Sequence, residues 1–366
     1  MNDQAQGRIH GPDVVRGLAA LGVVMFHVLY LSGIPVHTTA AAVAGRMDFF
    51  VRVFFVLSAF AIANAYCNRM GDVDSVRAFY LKRFFRIAPL FYFMALVGVI
   101  FRLAMAQPMP GALDFLLSGT FLFTLVPGKQ SGLVGGGWSI GIEWLFYFLF
   151  PMMLAMIRNI PTAVIAWLIL CPIAVLGKIY FQQTFDGQLS EFGALYLLSH
   201  AHYFVLGFLL LHLSKAGLPI ATSKLHRHTC GLAFVATLAV TLYALRHPDA
   251  VPEEILLSFA APLMVALSIA GFPAWLDNRF TRWLGLISYS TYLVQFPIIE
   301  VLQRSGTYAG IYKAIGRNDH AFVVAALLTL ACVIVVAALT YRFIEVPGQR
   351  LYSLLRRPKR ALEAAA

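Results

Sequence analysis

The sequence predicts an all-α fold: a polytopic bundle of about ten transmembrane helices with both termini cytoplasmic. Three observations predict it. Hydrophobic residues make up 60% of the 366 positions and charged residues only 12%, too little polar material to cover a soluble fold of this size. The apolar residues gather into runs of about 20, the length that crosses a hydrocarbon core. The 28 Lys and Arg residues sit between those runs and are unevenly divided, which is how orientation in a membrane is encoded.

Taken in order, the first run covers 14–33. It follows a polar start and has no small-residue cleavage site behind it, so it reads as a span and not as a removable leader. Further runs lie at 47–66, 87–106, 138–157, 161–181, 192–213, 229–246, 254–272, 283–303 and 321–343. Segment 113–126 is apolar but short; it reads as re-entrant or interfacial, and the count becomes eleven if it crosses. With ten spans, one side of the membrane holds 19 of the 28 basic residues, and that side should be cytoplasmic. Residues 1–350 then form one transmembrane domain and 351–366 a short basic tail. The net charge of +11 is spread between spans and not gathered into a patch, which argues against nucleic acid as a partner. Cys67, Cys171, Cys230 and Cys332 lie in or beside apolar runs without metal-ligand spacing and read as reduced packing residues.

Ionisable groups at membrane depth are costly, so each marks a candidate site. His27 lies near the middle of the first run, eleven residues after Arg16. Eleven helical steps of about 100° return both side chains to nearly one face, roughly 16 Å apart. The plainer alternative is a histidine satisfied by a neighbouring helix. Lys82, Arg83 and Arg86 cluster at the cytoplasmic mouth of the third run, with Arg83 and Arg86 on one helix face. Arginine binds phosphate through a forked geometry, although the same charges also serve as a positive-inside anchor. Pro89, just beyond, is expected to end or kink the helix.

The run Gly135-Gly136-Gly137-Trp138-Ser139 leads to Glu143, about one turn into the fourth span. A lone carboxylate there needs a partner, and His27 is a candidate, since a carboxylate can orient an imidazole base. Asp48 and Arg52 are spaced to pair on one helix. Ser288 to Gln295 forms a polar stripe that either packs against another helix or faces a substrate. Glu345 closes the last span, in reach of an arginine. His200, His202, His226 and His228 read as loop or interface residues, and no partner is spaced to complete a metal site, so none is expected.

These pieces resemble the acyltransferase 3 family of membrane-bound acyltransferases. Arg16-Gly17-Leu18 leading to His27 is similar to its opening motif, and Phe54-Phe55-Val56-Leu57-Ser58 to its phenylalanine-rich second span. Arg83 with Arg86, Trp138-Ser139-Ile140 with Glu143 and Phe146-Tyr147, Trp283-Leu284-Gly285 with Ser288-Tyr289-Ser290 and Tyr292-Leu293, and Tyr341 to Pro347 match later segments. Each motif is weak alone; their order and spacing are specific. The chain departs from the pattern at Val14, at Ala59 where glycine is usual, and at Gln295 where many members have histidine.

The resemblance implies an O-acetyltransferase of a bacterial inner membrane, with acyl-CoA (commonly acetyl-CoA) as cytoplasmic donor and no metal. The acceptor would be a hydroxyl of a glycan or lipid-linked glycan, and an exported polysaccharide or exopolysaccharide is the expectation. Some members carry a fused esterase-like domain, for which this chain leaves no room. On this reading His27 and Glu143 are catalytic, with His27 as general base or as the site of a transient acyl group. Arg16, Lys82, Arg83 and Arg86 hold the donor phosphates, and Trp138, Ser139, Ser288, Tyr292 and Gln295 contact substrate. The rival reading is a secondary transporter or glycan exporter that uses His27 and Glu143 as a proton relay.

Overall fold

The computed structural model describes residues 10–34, 38–218, 220–221, 223–247 and 252–355. Arg8, Arg356, Arg357, Lys359 and Arg360, counted above with the basic side, lie outside them, as does the tail from 356 onward. Among the described residues every regular element is helical, with no strand. The ten predicted runs correspond to α1 (Gly11–Leu31), α2 (Phe50–Tyr66), α3 (Val73–Ala104), α4 (Gly137–Met156), α5 (Ile160–Thr184), α6 (Leu197–Lys215), α7 (Lys224–Leu245), α8 (Glu253–Ala270), α9 (Ser288–Arg304) and α10 (Asp319–Thr340). Among these residues nine helical stretches are long and apolar enough to cross a membrane, and a bent pair makes ten if it is counted as one span.

Polar residues set where helices begin. Asp72 and Asn159 accept from the backbone of the first turns of α3 and α5, and Asn318 does the same for α10. Apolar side chains point outward as well as inward: on α5, Ile165, Leu168, Ile169 and Leu176 are all exposed. A bilayer solvates such a surface and water does not. Segment 113–126 folds as Ala112–Thr120 followed by a 3-10 turn, with the left-handed Phe121 (φ 59°) between them. Its 9-residue helix rises about 14 Å, less than half of a hydrocarbon core of about 30 Å, so it is too short to cross.

α1 is the hub of the bundle, packing on the short helix Arg279–Leu286 and on α9, α2, α8 and α10. The contact with Arg279–Leu286 is backbone on backbone. A Cβ at Gly17 would stand 2.8 Å from the Gly285 nitrogen, and one at Gly285 would stand 2.0 Å from the Asp13 carbonyl oxygen. Neither position can carry a side chain without separating the helices.

Two expectations needed correction. Pro89 neither ends nor interrupts its helix: α3 runs through it for 32 residues. Its ring packs where Gly348, in the helix Val346–Leu355, has no side chain, and a Cβ there would lie 2.5 Å from Pro89 Cγ. The ninth run is not one straight span. Arg279–Leu286 and α9 meet at 69° across Ile287. Broken helix at membrane depth is tolerated only inside protein or along a cavity, and Ser288, the first residue after the break, lines one.

Candidate active site

Two cavities meet along α1. The first, about 250 Å³, is walled by the guanidinium side of the bundle: Arg16 from α1, Ser58 from α2, Arg83 and Arg86 from α3, and Glu143 and Tyr147 from α4. The second, about 230 Å³, holds His27 from α1 together with Asp48, Arg52, Trp138, Lys178, His200 and Glu254. Val51 and Tyr292 line both and form the partition. The shared face of Arg16 and His27 is thus a strip of α1 that passes from one cavity to the other.

In the basic cavity the three arginines have unequal surroundings. The Arg83 guanidinium lies 5.7 Å from the ring centroids of Tyr66 and Phe79 and 5.8 Å from that of Tyr147. Its buried Nε has no hydrogen-bond partner among the described residues. Arg86 is ion-paired with Glu345 and stands 5.7 Å over the Tyr289 ring. Glu345, almost fully buried in the π-helical turn Tyr341–Glu345, also accepts from Ser290 (2.9 Å) and Gln349 (3.2 Å). Such turns inside a helix often mark functional positions. Arg16 stands 3.6 Å from Asp13. Lys82 is exposed and does not line the cavity.

Glu143 accepts from Tyr147 at 2.6 Å and from Ser58. The predicted contact between Glu143 and His27 is not formed, because α4 presents the carboxylate to the basic cavity while α1 turns the imidazole into the other one. The partner of His27 is Gln295: Nδ1 lies 3.1 Å from the amide oxygen. Gln295 is fully buried, and its Nε2 donates to the Tyr292 carbonyl at 2.8 Å. It therefore reaches neither cavity.

Trp138 and Ser139 diverge, Trp138 toward the histidine cavity and Ser139 toward the basic one. Ser139 Oγ and Tyr292 Oη share a hydrogen bond of 2.7 Å, and Tyr292 also donates to the Gly136 carbonyl at 3.0 Å. Gly136 takes φ 68° at the head of α4, where a Cβ would lie 2.7 Å from the Phe296 ring. That glycine lets the strand of loop before α4 press against α9 and fixes the partition. Ser288 lines the basic cavity. The polar stripe on α9 thus does two jobs: Tyr289 donates to the Ile87 carbonyl (2.8 Å) and Ser290 to Glu345, while Ser288 and Tyr292 face the space between helices.

The charges of the histidine cavity are paired among themselves. Arg52 bridges Asp48 (2.9 Å) and Glu253 (3.2 Å), and Lys178 pairs with Glu254 (2.5 Å). The Asp48–Arg52 pairing was legible in the spacing; Lys178, Glu254 and Ser58 were not singled out, although an ionisable residue late in an apolar run is itself a signal. His200 and His202 are not loop residues. Both are buried on α6, and His200 Nε2 donates to the Ala194 carbonyl at 3.1 Å. No group of three or more His, Cys, Asp or Glu that could hold a metal ion occurs among the described residues.

Comparison with known proteins bears on this arrangement. A family model described as an acyltransferase domain, acyltransferase 3, matches residues 9–342. Peptidoglycan O-acetyltransferase OatA of Listeria monocytogenes is 25% identical, the match covering 92% of this chain and 55% of that protein. Putative peptidoglycan O-acetyltransferase YrhL of Bacillus subtilis is 25% identical, over 93% of this chain and 54% of its own length. Acyltransferase MdmB of Streptomyces mycarofaciens is 29% identical over 42% of this chain and 41% of its own. The chain spans about half the length of the curated relatives it matches. No solved structure matches it.

Proposed function

This chain belongs to the acyltransferase 3 family, and from that membership we propose that it is a membrane-bound O-acetyltransferase. It moves an acetyl group from acyl-coenzyme A to a hydroxyl of an exported or cell-surface glycan. The observation that carries the reading is the pair of cavities: one walled by three arginines, the other holding a histidine, with Val51 and Tyr292 lining both.

A coenzyme A donor is a polyanion with a long neutral arm. Arg16, Arg83 and Arg86 supply cations for its phosphates, and its arm passes the partition so that the thioester reaches His27. Donor phosphate replaces Glu345 as the partner of Arg86. The acceptor hydroxyl enters the histidine cavity, where Trp138 offers an aromatic face and the paired charges offer hydrogen-bond donors and acceptors. His27 acts as general base. Glu143, with Ser58 and Tyr147 on it, belongs to the donor side and balances the arginines there. The uneven distribution of Lys and Arg supports a cytoplasmic basic side, both termini cytoplasmic, and a place in a bacterial inner membrane. The basic tail from 351 is then a cytoplasmic extension of one transmembrane domain.

The test uses membrane vesicles carrying the protein, labelled acetyl-coenzyme A, and isolation of the glycan fraction. Two relatives named for peptidoglycan make that polymer the first acceptor to examine, with exopolysaccharide as the second. Ester-linked label that depends on His27 is the expected result. Glycan flux across the membrane without acetylation would instead support a transporter.

A further inference from the structure

We propose that Gln295 is a positioning residue that holds the His27 proton on Nδ1 and so makes Nε2 the nitrogen that does the chemistry. The inference rests on the reading of His27 as the base. Its footing is the hydrogen-bond logic of a buried amide. The Tyr292 carbonyl can only accept, so the Gln295 nitrogen must face it, at 2.8 Å. Turning the amide over would set two oxygens against each other. The Gln295 oxygen therefore faces His27 Nδ1, 3.1 Å away, and an amide oxygen can only accept. Nδ1 carries the hydrogen. A neutral imidazole has one N–H, so the lone pair lies on Nε2.

The surroundings reinforce this assignment. The imidazole is flanked by Phe296, with ring centroids 4.6 Å apart, and by Phe26 at 5.2 Å. Neither ring offers a rival hydrogen-bond partner; the other acceptor beside the imidazole is the Val23 carbonyl, one turn earlier on α1, which like the Gln295 oxygen can only receive an N–H. Most of the charged and titratable groups facing the same cavity, which also include Tyr203, are engaged elsewhere. Asp48 and Arg52 bind each other, Lys178 on α5 binds Glu254 on α8, His200 on α6 bonds the Ala194 carbonyl, and Tyr292 on α9 bonds Gly136 and Ser139. No carboxylate is hydrogen-bonded to His27 among the described residues. A neutral amide thus fixes the tautomer, as a carboxylate does in a Ser-His-Asp arrangement, without adding a charge at membrane depth.

The transfer then balances around one atom. Nε2 takes the proton of the acceptor hydroxyl as that oxygen attacks the thioester carbon. The imidazolium so formed keeps its Nδ1–H on Gln295. Collapse of the tetrahedral intermediate breaks the carbon–sulfur bond, and the Nε2 proton passes to the leaving thiolate. The products are the acetyl ester and free coenzyme A thiol.

The experiment compares Gln295→Leu, Gln295→Glu and His27→Ala in vesicles, following label into glycan at varied acetyl-coenzyme A. Leucine keeps the bulk and removes the acceptor: kcat should fall by roughly 10²-fold or more while donor KM stays within about twofold. The unchanged KM in the same vesicles reports an intact fold. Glutamate keeps an oxygen toward Nδ1 and, protonated on the other, can still donate to the Tyr292 carbonyl; it should recover kcat to within about tenfold of the native value. Transfer that survives His27→Ala overturns the proposed function and this inference together. An inactive His27→Ala with full kcat in Gln295→Leu overturns this inference alone. So does a Gln295→Leu variant that loses donor affinity in step with kcat, or a Gln295→Glu variant no better than leucine.

Discussion

The two cavities are nearly equal in volume and opposite in electrostatic design. The basic one sets three arginines against Glu143 on its wall, with Glu345 behind Arg86. The histidine one sets two cations against two carboxylates, Arg52 with Asp48 and Lys178 with Glu254, so its wall is balanced. A lining with more cations than carboxylates suits a polyanion, which would compete with Asp13 for Arg16 and with Glu345 for Arg86. A balanced wall suits a neutral, hydroxyl-rich ligand and would gain nothing from a charged one. On the proposed function, the difference teaches that the bundle separates recognition by charge from recognition by hydrogen bonding and keeps the His27 imidazole on the hydrogen-bonding side.

Four measurements break or sharpen this comparison. His27→Ala carries the largest expected effect: transfer to glycan should drop by about 10²- to 10⁴-fold, with the protein still inserted. Survival of activity would leave the histidine cavity without chemistry. Arg83→Ala and Arg86→Ala come next. Each should raise donor KM by about 10- to 100-fold, the worth of a hydrogen bond to a charged group, with kcat less affected. Unchanged donor affinity would reduce the pair to membrane anchors. Lys178→Met, on the balanced side, should leave donor KM alone and lower Tm, because Glu254 loses its partner. Adding Glu254→Gln should return most of that loss, as expected when a stranded charge is the cause. The smallest effect is ionic: raising salt should increase donor KM a few-fold by screening the arginines and should leave acceptor dependence flat. Equal salt sensitivity on both sides would contradict the contrast.

Much of the fold was legible because a membrane demands long apolar runs, and each of the ten predicted runs contains a helix. What was not legible followed from contacts between distant segments. Pro89 looked like a stop or a kink, yet the helix continues past it, and its ring packs where Gly348, far along the chain, has no side chain. The break at Ile287 left no proline and no charge to announce it; it is set by the backbone contact of Gly17 with Gly285 and by the cavity that receives Ser288. At the site, the residue types were readable and their pairings were not. His27, Arg16, Arg83, Arg86 and Glu143 all line cavities. Yet Glu143 pairs with Ser58 and Tyr147 and not with His27, and Gln295 pairs with His27 and lines neither cavity. Helical spacing gives the direction of a side chain on its own helix. It does not tell which neighbour stands opposite.

The Arg86–Glu345 pair joins residues 259 positions apart. At a synthesis rate of about 5–20 residues per second, roughly 13–52 s separate the emergence of the two. Throughout that interval Arg86 is without the carboxylate it pairs with in the folded chain. The ion pair behind the basic cavity is therefore among the last contacts of the molecule to be completed. A chain stopped before Glu345 would contain every predicted span and still leave Arg86 without its carboxylate partner.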